Sequence, residues 1–422
     1  MRKSLRVLID GTMCGAGGGF SYLVNIIPQI VALAPEYRFL LVVRNQRLAD
    51  RLPESDNLEV QVLHPVGAGG RLRFSYIEAP RLARRWNADL YYSVGESVPL
   101  HAHCPSIASF RNATVFSKQA LHWPLKQRLR LALLRAISTL SGRRADRVIF
   151  VSEDSARWMG DALGLPTSRR AIVRHGIATE EWSKPVGDPV HPSPYILSVS
   201  SIYRYKNYVR LIEAYAKLAK RQSEFPDLVI IGDDQDPDYS QEMVRARDAT
   251  GALAARIHIL GEVPYSEIQR YYAGASLFVF PSHLETFGHP LVEAMASGLP
   301  TVAADTPVFR ELAGSAVLYA DPYSSGALSE AMEQALFTPG LSESLAKRGL
   351  ERVKRFSWKQ TGSQLLSIFK EVRAEHQAPI WSRPRPSTGM PFSVKGSLSP
   401  RSSTPGVTPR RSVSANLLGR EE

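Results

Sequence analysis

The sequence predicts an α/β protein made of two doubly wound domains. Short apolar segments alternate with helical patterns along most of its 422 residues, and this alternation is typical of parallel sheets covered by helices. Near the middle, residues 184–194 contain four prolines. Because proline-rich chain favours extended linkers, we place the domain boundary there. The predicted domains are an N-terminal one, residues 1–183, and a C-terminal one, residues 195–355.

Eleven short apolar segments are predicted as strands, six before the linker and five after it. A helical pattern follows most of them, which favours parallel rather than antiparallel pairing. Beyond about residue 376 the composition turns to Ser, Pro, Gly and Arg, so residues 376–422 are predicted to be a disordered tail. The predicted strands are 5–9, 39–43, 58–62, 90–92, 106–108, 147–151, 195–199, 228–231, 257–260, 277–280 and 301–303.

The composition is ordinary for a globular enzyme, with 44% hydrophobic and 22% charged residues. No apolar run approaches the roughly 18 residues of a membrane-spanning helix. The apolar part of the first ten residues is shorter than the core of a secretory signal, about 7–15 residues, and is predicted to be the first strand. Cys14 and Cys104 are too few for a disulfide framework, so we expect a cytoplasmic protein.

Positive charge is concentrated in the first half, where residues 1–150 carry 21 Lys and Arg against 10 Asp and Glu. Leucines interleave with part of this charge, as on an amphipathic basic helix. Two interpretations remain open: a face that lies on an anionic membrane or acceptor, and the solvated face of an arginine-rich protein. Nucleic-acid binding is disfavoured, because no recognised motif accompanies the charge. The basic residues are Lys126, Arg128, Arg130, Arg135, Arg143, Arg144 and Arg147.

Two glutamates, Glu285 and Glu293, lie on either side of a predicted turn from a strand into a helix. Pro290 suits the first turn of that helix, and Gly298 suits the residue that ends it. The residues between the glutamates place backbone N–H groups beside a helix N-terminus, where they can bind an anion. The pattern predicts a site for a diphosphate, with one carboxylate for a sugar and the other for a ribose.

This run, from Glu285 through residue 305, resembles the retaining glycosyltransferases of family 4, whose fold is called GT-B. The resemblance implies two Rossmann-like domains that face each other across a cleft, with no catalytic metal. It implies that Glu285 lies by the donor sugar, that Glu293 binds the ribose, and that Val263 lies near the base. It also implies that residues 356–375 form a closing helix that packs on the N-terminal domain. The backbone contacts to the diphosphate and sugar are assigned to Phe287, Gly288 and His289.

Three further segments are expected in the same cleft. The glycine-rich loop after the first strand brings backbone close to a ligand, and the resemblance favours Gly18 and Gly19 there. Lys206 matches the phosphate-binding lysine of the family, while Ser201 stands where the family has arginine, so Arg204 is the candidate replacement. Arg111 and Asn112 occupy the place of a histidine-containing pair and are assigned to the acceptor or the sugar. Arginine cannot act as a general base there, because it stays protonated.

The resemblance thus implies a retaining, metal-independent hexosyltransferase without cofactor. It would transfer a sugar from GDP-mannose or a UDP-sugar to a glycan or lipid-linked acceptor in polysaccharide or lipopolysaccharide synthesis. Its place would be the cytoplasm, at the inner face of the membrane. Two alternatives remain open, because fold does not fix function. A sugar-nucleotide epimerase would change its substrate without an acceptor, and a non-catalytic glycan- or nucleotide-binding relative would show no turnover.

Overall fold

Thirteen β-strands form two sheets in the computed structural model, which describes residues 4–15, 17–63, 70, 73–117, 125–183, 187 and 190–377. Most strands are short runs of Val, Leu, Ile and Phe whose side chains are buried, as expected for strands covered on both faces. The strands are β1 (Arg6–Asp10), β2 (Arg38–Val43), β3 (Leu58–Val62), β4 (Leu90–Ser93), β5 (Ser106–Phe110), β6 (Arg147–Phe150), β7 (Arg170–Ile172), β8 (Tyr195–Val199), β9 (Asp227–Ile231), β10 (Ile257–Gly261), β11 (Leu277–Phe280), β12 (Thr301–Ala304) and β13 (Leu318–Ala320).

The first sheet has the order β3-β2-β1-β4-β5-β6-β7 and the second the order β10-β9-β8-β11-β12-β13. All the pairings between these strands are parallel. The strand order reverses between β1 and β4 in the first sheet, and between β8 and β11 in the second. Doubly wound sheets bind ligands at such reversals, beyond the carboxyl ends of the strands.

Helices connect most consecutive strands and cover both faces of each sheet. In β1, for example, Val7 and Ile9 belong to one hydrophobic core, and Leu8 between them belongs to another. In β8, Leu197 and Ile196 are divided in the same way between two cores. The α-helices are Gly17–Leu33, Gln46–Ala49, Ala79–Arg85, Leu125–Arg144, Glu153–Leu163, Thr179–Trp182, Tyr208–Ala219, Pro237–Asp248, Tyr265–Gly274, His289–Ala296, Pro307–Ala313, Ser325–Phe337, Leu341–Val353 and Trp358–Gln377.

The last described helix, Trp358–Gln377, packs against the first helix, Gly17–Leu33. Its apolar side chains, including Leu365 and Phe369, belong to the same core as β1 and β2. Arg147 Nη2 binds Glu375 Oε1 at 2.6 Å and holds the end of this helix against β6. The predicted closing helix on the N-terminal half is therefore confirmed, two residues later than expected at each end.

The fold class is confirmed, but two strands, β7 and β13, were not predicted. Each lies at an edge of its sheet and has only three residues. The predicted linker lies partly, and the predicted tail beyond residue 377 entirely, outside the described residues, and the domain bounds stay a prediction. No helix within the described ranges combines the length and apolar character that crossing a membrane requires.

Candidate functional site

The predicted site residues lie at the carboxyl ends of both sheets, where the two halves of the chain touch. Thr286, in the loop after β11, makes two hydrogen bonds to the first half. Its carbonyl oxygen accepts from Ser152 Oγ at 2.7 Å, and its own hydroxyl donates to the Arg111 carbonyl oxygen at 2.9 Å. The loop that carries the first glutamate is therefore fixed to the N-terminal half.

Glu285 and Lys206 form an ion pair in this region, with 2.5 Å between Lys206 Nζ and Glu285 Oε1. Both side chains are largely shielded, with 14% and 11% of their surface exposed. Lys206 Nζ also lies 5.2 Å from the ring centre of Tyr205 and 5.6 Å from that of Phe280. An incoming phosphate can compete with the Glu285 carboxylate for the Lys206 ammonium group. The lysine can therefore change its partner when an anion binds.

The Arg204 side chain does not reach the Lys206–Glu285 ion pair. Its guanidinium makes a bidentate contact with Glu242, both distances being 2.6 Å, and lies 5.0 Å from the ring centre of Tyr239. Arg204 and Lys206 share one short 3₁₀ helix, Arg204–Lys206. With three residues per turn, side chains two positions apart point in different directions. The replacement of the missing family arginine by Arg204 stays a prediction, without support from this geometry.

The turn between the two glutamates is built around Gly288. This residue has φ 92° and precedes the helix His289–Ala296. A Cβ at this position would lie 2.8 Å from Phe309 Cε1, so only glycine fits without strain. Phe287 is buried beside it and anchors the turn in the core. The helix ends before Gly298, which has φ 68° as expected for the residue that closes it.

Glu293 lies in that helix, and only 8% of its surface is exposed. Tyr272 donates a hydrogen bond to its Oε2 at 3.2 Å. Burial raises the pKa of Glu293 from 4.5 to about 7, although hydrogen bonds from Tyr272 and Tyr265 oppose the shift. A buried carboxylate held by two hydroxyl groups is suited to accept further hydrogen bonds from a diol.

His289 and His175 form a buried imidazole pair, with 2.7 Å between His289 Nε2 and His175 Nδ1. Burial and the Arg111 charge lower the pKa of His289 to about 4. Burial, His289 and Arg111 lower the pKa of His175 well below its usual value. Both rings are therefore neutral at pH 7, and an anion in this site would depend on other groups for positive charge.

Arg111 supplies such a charge on the N-terminal side. Its guanidinium lies 4.5 Å from the ring centre of Tyr22 and donates to the Val94 carbonyl oxygen. The buried Arg111 Nη1 and His175 Nε2 have no hydrogen-bond partner within the described residues. Buried polar atoms normally have partners, and a sugar hydroxyl or phosphate oxygen could satisfy both of these.

The other predicted residues lie around this centre. Asn112 is exposed and caps a short 3₁₀ helix by accepting from the Thr114 N–H at 3.1 Å. Gly18 and Gly19 belong to the first turn of the helix Gly17–Leu33 and not to the loop in which the sequence placed them. A Cβ on Gly18 would meet no atom within 4 Å, so its backbone has open space in front of it. Val263 is half-buried beside the core of the second sheet.

Two residues of the site, His175 and Glu96, were not assigned to it from the sequence. His175 has no assigned role in the sequence interpretation, and the resemblance of His175-Gly176 to a turn of the family is the signal that could have found it. Glu96 accepts from the backbone N–H groups of Arg111 and Asn112, at 3.3 and 2.8 Å, and so positions both residues. No motif marks Glu96 in the sequence.

The fold and this arrangement define a class of protein: two Rossmann-like sheets that bring their carboxyl ends to a common site, the GT-B architecture. Residues 16–181 match the family model described as Glycosyltransferase Family 4, and residues 180–352 match the model described as Glycosyl transferases group 1. The chain belongs to these glycosyltransferases. The solved structure of HepE from Anabaena in complex with UDP-glucose has the same fold, with TM-score 0.69 and 19% identity over 87% of this chain and all of that one.

Two curated relatives are mannosyltransferases. The chain is 32% identical over 177 residues to the O-antigen chain mannosyltransferase B of Escherichia coli, which is 42% of this chain and 45% of that protein. It is 26% identical over 318 residues to the phosphatidyl-myo-inositol mannosyltransferase of Mycobacterium leprae (strain TN), which is 72% of this chain and 80% of that protein. The chain thus spans less than half the length of the first relative.

Proposed function

We propose that this protein is a retaining glycosyltransferase that moves a hexose from a nucleotide-diphosphate sugar to a glycan or lipid-linked acceptor in cell-surface polysaccharide synthesis. The observation that carries the proposal is the shielded Lys206–Glu285 ion pair beside the turn at Gly288, with the buried Glu293 one helical turn further on. This arrangement supplies a cation for a diphosphate, a carboxylate for a sugar and a carboxylate for a ribose.

In the proposed donor complex, the ribose hydroxyls bind Glu293 and the base lies near Val263. The diphosphate lies against the turn at Phe287, Gly288 and His289, at the N-terminal end of the helix His289–Ala296, where the helix dipole favours negative charge. Gly18 and Gly19, at the start of the first helix, approach it from the other half. Since both imidazoles are neutral, Lys206 and Arg111 are the proposed sources of positive charge.

The proposed reaction proceeds on one face of the sugar. The acceptor hydroxyl oxygen forms a bond to the anomeric carbon as the bond from that carbon to the phosphate oxygen breaks. The acceptor proton passes to the departing phosphate oxygen, which leaves on the side from which the acceptor enters, so the configuration is retained. Lys206 stabilises the charge that develops on the diphosphate, and Glu285 orients the sugar. In this scheme no metal and no cofactor takes part.

Two observations bear on the donor sugar. The mannosyltransferase relatives support a mannose donor, which the proposal takes as GDP-mannose. The fold shared with HepE, solved with UDP-glucose, supports a UDP-sugar. Arg111 is specific to neither, but its guanidinium can donate in parallel to two oxygen atoms of a sugar or phosphate. Together with Asn112 it is the proposed contact to the sugar or the acceptor.

The helix Leu125–Arg144 is the proposed contact to an anionic membrane. It exposes Leu125, Leu129 and Leu133, each at least 60% exposed and spaced by four residues along one stripe. Basic residues lie beside that stripe, and a helix of this kind lies in the membrane interface. A lipid-linked acceptor would be presented at the same surface.

The test is a screen of the purified protein against UDP-, GDP-, ADP- and dTDP-sugars for thermal stabilisation and turnover. A ligand that binds only the native state raises its stability with the logarithm of its concentration. We expect one nucleotide to give both a shift and slow hydrolysis, with the released sugar first appearing in the anomeric configuration of the donor by NMR. An inverted product would contradict retention. An altered sugar nucleotide would indicate an epimerase. Thermal stabilisation without turnover, across a panel of glycan and lipid-linked acceptors, would indicate a binding protein.

A further inference from the structure

Three side chains of types that can bind a metal lie close together at the amino-terminal ends of strands in the second sheet, away from the proposed donor site. His191 lies four residues before β8, Asp227 is the first residue of β9, and His258 is the second residue of β10. These three strands are neighbours in the order β10-β9-β8. Because they are parallel, their amino-terminal ends lie together, whereas Lys206 and Glu285 follow the carboxyl ends of β8 and β11. The sequence gives no sign of this cluster, since its members lie more than 30 residues apart.

The distances between the ligand atoms are close to those around a single metal ion. His258 Nε2 lies 3.1 Å from Asp227 Oδ2, and His191 Nε2 lies 4.0 Å from the same oxygen. The ring centres of His191 and His258 are 4.8 Å apart, and one ligand atom from each of the three residues lies within 4.8 Å of the others. Zinc binds histidine nitrogen and carboxylate oxygen at about 2.0–2.2 Å, so two ligand atoms of one tetrahedral ion lie roughly 3.3 Å apart. His258 and Asp227 already satisfy this spacing, and His191 Nε2 must come roughly 0.7 Å closer to Asp227 Oδ2 to reach it.

Neighbouring groups orient two of the three ligands. His191 Nδ1 lies 3.0 Å from the Ser193 carbonyl oxygen. The Ser193 N–H lies 3.3 Å from the same nitrogen, so the ring is held by both backbone groups of Ser193. In the tautomer that donates from Nδ1 to the carbonyl oxygen, the lone pair is on Nε2, which faces Asp227. Arg256 Nε donates to Asp227 Oδ1 at 2.7 Å, which fixes the carboxylate and leaves Oδ2 for the two histidines. Metal-binding histidines and carboxylates are commonly held in this way by a carbonyl or a charged partner.

We propose that His191, Asp227 and His258 bind one divalent transition-metal ion, Zn²⁺ by the chemistry of its ligands, with water in the fourth position. Two imidazoles and one carboxylate favour zinc over magnesium or calcium, which prefer oxygen ligands. His191 belongs to the segment that joins the two halves of the chain, whereas the other two ligands belong to the second sheet. The ion would fasten this connection to the sheet and stabilise the folded protein.

The experiment uses the full chain without an affinity tag, stripped of metal with a chelator and titrated with Zn²⁺ in a calorimeter. We expect one ion per chain at this site and an upward shift of the melting temperature, because metal that binds only the folded state stabilises it. His191→Ala and His258→Ala are each expected to weaken binding at least tenfold. His101→Ala, which changes an exposed histidine outside the cluster, serves as the matched control. Mg²⁺ is expected to give no heat and no shift.

Zinc binding that His191→Ala and His258→Ala leave unchanged would overturn the proposal, and so would the absence of saturable binding. If His258→Ala fails to fold, His191→Gln, which leaves Asp227 and its bond to Arg256 intact, gives the same test. The outcome is separate from the proposed transferase activity, because none of the three ligands belongs to the proposed donor site. Donor binding can therefore be measured on the same variants, and we expect it to persist.

Discussion

Lys206 Nζ and Glu285 Oε1 lie 2.5 Å apart, although 79 residues separate them in the sequence. The contact follows from the topology, because Lys206 follows β8, Glu285 follows β11, and these two strands pair in the second sheet. A shielded ion pair of this kind is weak evidence for stability, since both charges lose water on folding. The pair lies at a reversal of the strand order, where doubly wound sheets bind ligands. We therefore infer that it positions the Lys206 ammonium group to bind an anion.

The first prediction concerns this lysine. Lys206→Gln removes the cation that would stabilise the departing diphosphate, and we expect turnover of the donor identified by screening to fall about 100- to 1,000-fold. The measurement is the steady-state rate of nucleotide release. Arg204→Gln is the matched control, because it removes a nearby charge that is already bound to Glu242. An equal loss of turnover in Arg204→Gln would contradict the placement of Arg204 outside the site.

Much of the fold could be predicted because buried parallel strands are continuous apolar runs. β2, for example, is Arg-Phe-Leu-Leu-Val-Val, and five of its six residues are buried. β7 and β13 were not predicted, because they have three residues each and lie at the edges of their sheets, where burial is incomplete. A run of three partly exposed residues has no periodicity that separates it from a loop.

The site could be predicted only where its chemistry is local in sequence. Glu285, Gly288 and Glu293 lie within nine residues, so their spacing across a loop, a turn and a helix carries the signal. The contact between His175 and His289 depends on how the two halves dock, and no local pattern contains that information. Arg204 illustrates the opposite case, since closeness to Lys206 in sequence did not bring the two side chains together.

The second prediction concerns the backbone at Gly288. Gly288→Ala is expected to destabilise the protein by about 2 kcal/mol or more, because a non-glycine residue at positive φ costs about 1–3 kcal/mol and its Cβ would also lie 2.8 Å from Phe309 Cε1. The measurement is the midpoint of urea unfolding. Gly261→Ala is the control, because Gly261 has φ 73° but no atom within 4 Å of the added Cβ. An equal loss in both variants would show that the Phe309 contact is unimportant.

The third prediction concerns the helix Leu125–Arg144. Replacing Leu129 and Leu133, 64% and 60% exposed, by serine is expected to reduce binding to vesicles of anionic lipid at least tenfold. Each leucine loses the free energy of transfer into the interface, about 1.5–3 kcal/mol when burial is complete. Sedimentation with vesicles measures the effect. Leu260→Ser, an exposed leucine on β10, is the control and should bind as the unchanged protein does.

Raising the salt concentration should weaken the same binding, since the basic residues of this helix would attract the anionic headgroups. Vesicles of neutral lipid should bind less protein at every salt concentration. If the double serine variant binds anionic vesicles unchanged, the helix is an ordinary solvated surface and the acceptor reaches the site by another route.

The fourth prediction concerns the pH dependence of stability caused by Glu293. Its pKa in the folded protein is about 7, against 4.5 for an ordinary glutamate. The folded state therefore binds more protons than the unfolded state between these values. The stabilising effect of the protonated form is fully present below pH 4.5 and is lost as the pH rises through 7. Above pH 7, the buried charge costs about 3 kcal/mol of the free energy of unfolding.

Glu293→Gln cannot ionise, so it is expected to match the unchanged protein below pH 4.5 and to exceed its stability by up to about 3 kcal/mol at pH 8. The same change should weaken donor binding at pH 8 roughly tenfold, since hydrogen bonds to a carboxylate are stronger than those to an amide. Urea unfolding across this pH range and donor titration measure the two effects, with Glu213→Gln on an exposed helix face as the control. Greater stability with weaker binding would mean that the ribose contact is maintained at the expense of stability. A variant that gains stability but binds the donor unchanged would remove Glu293 from the donor site.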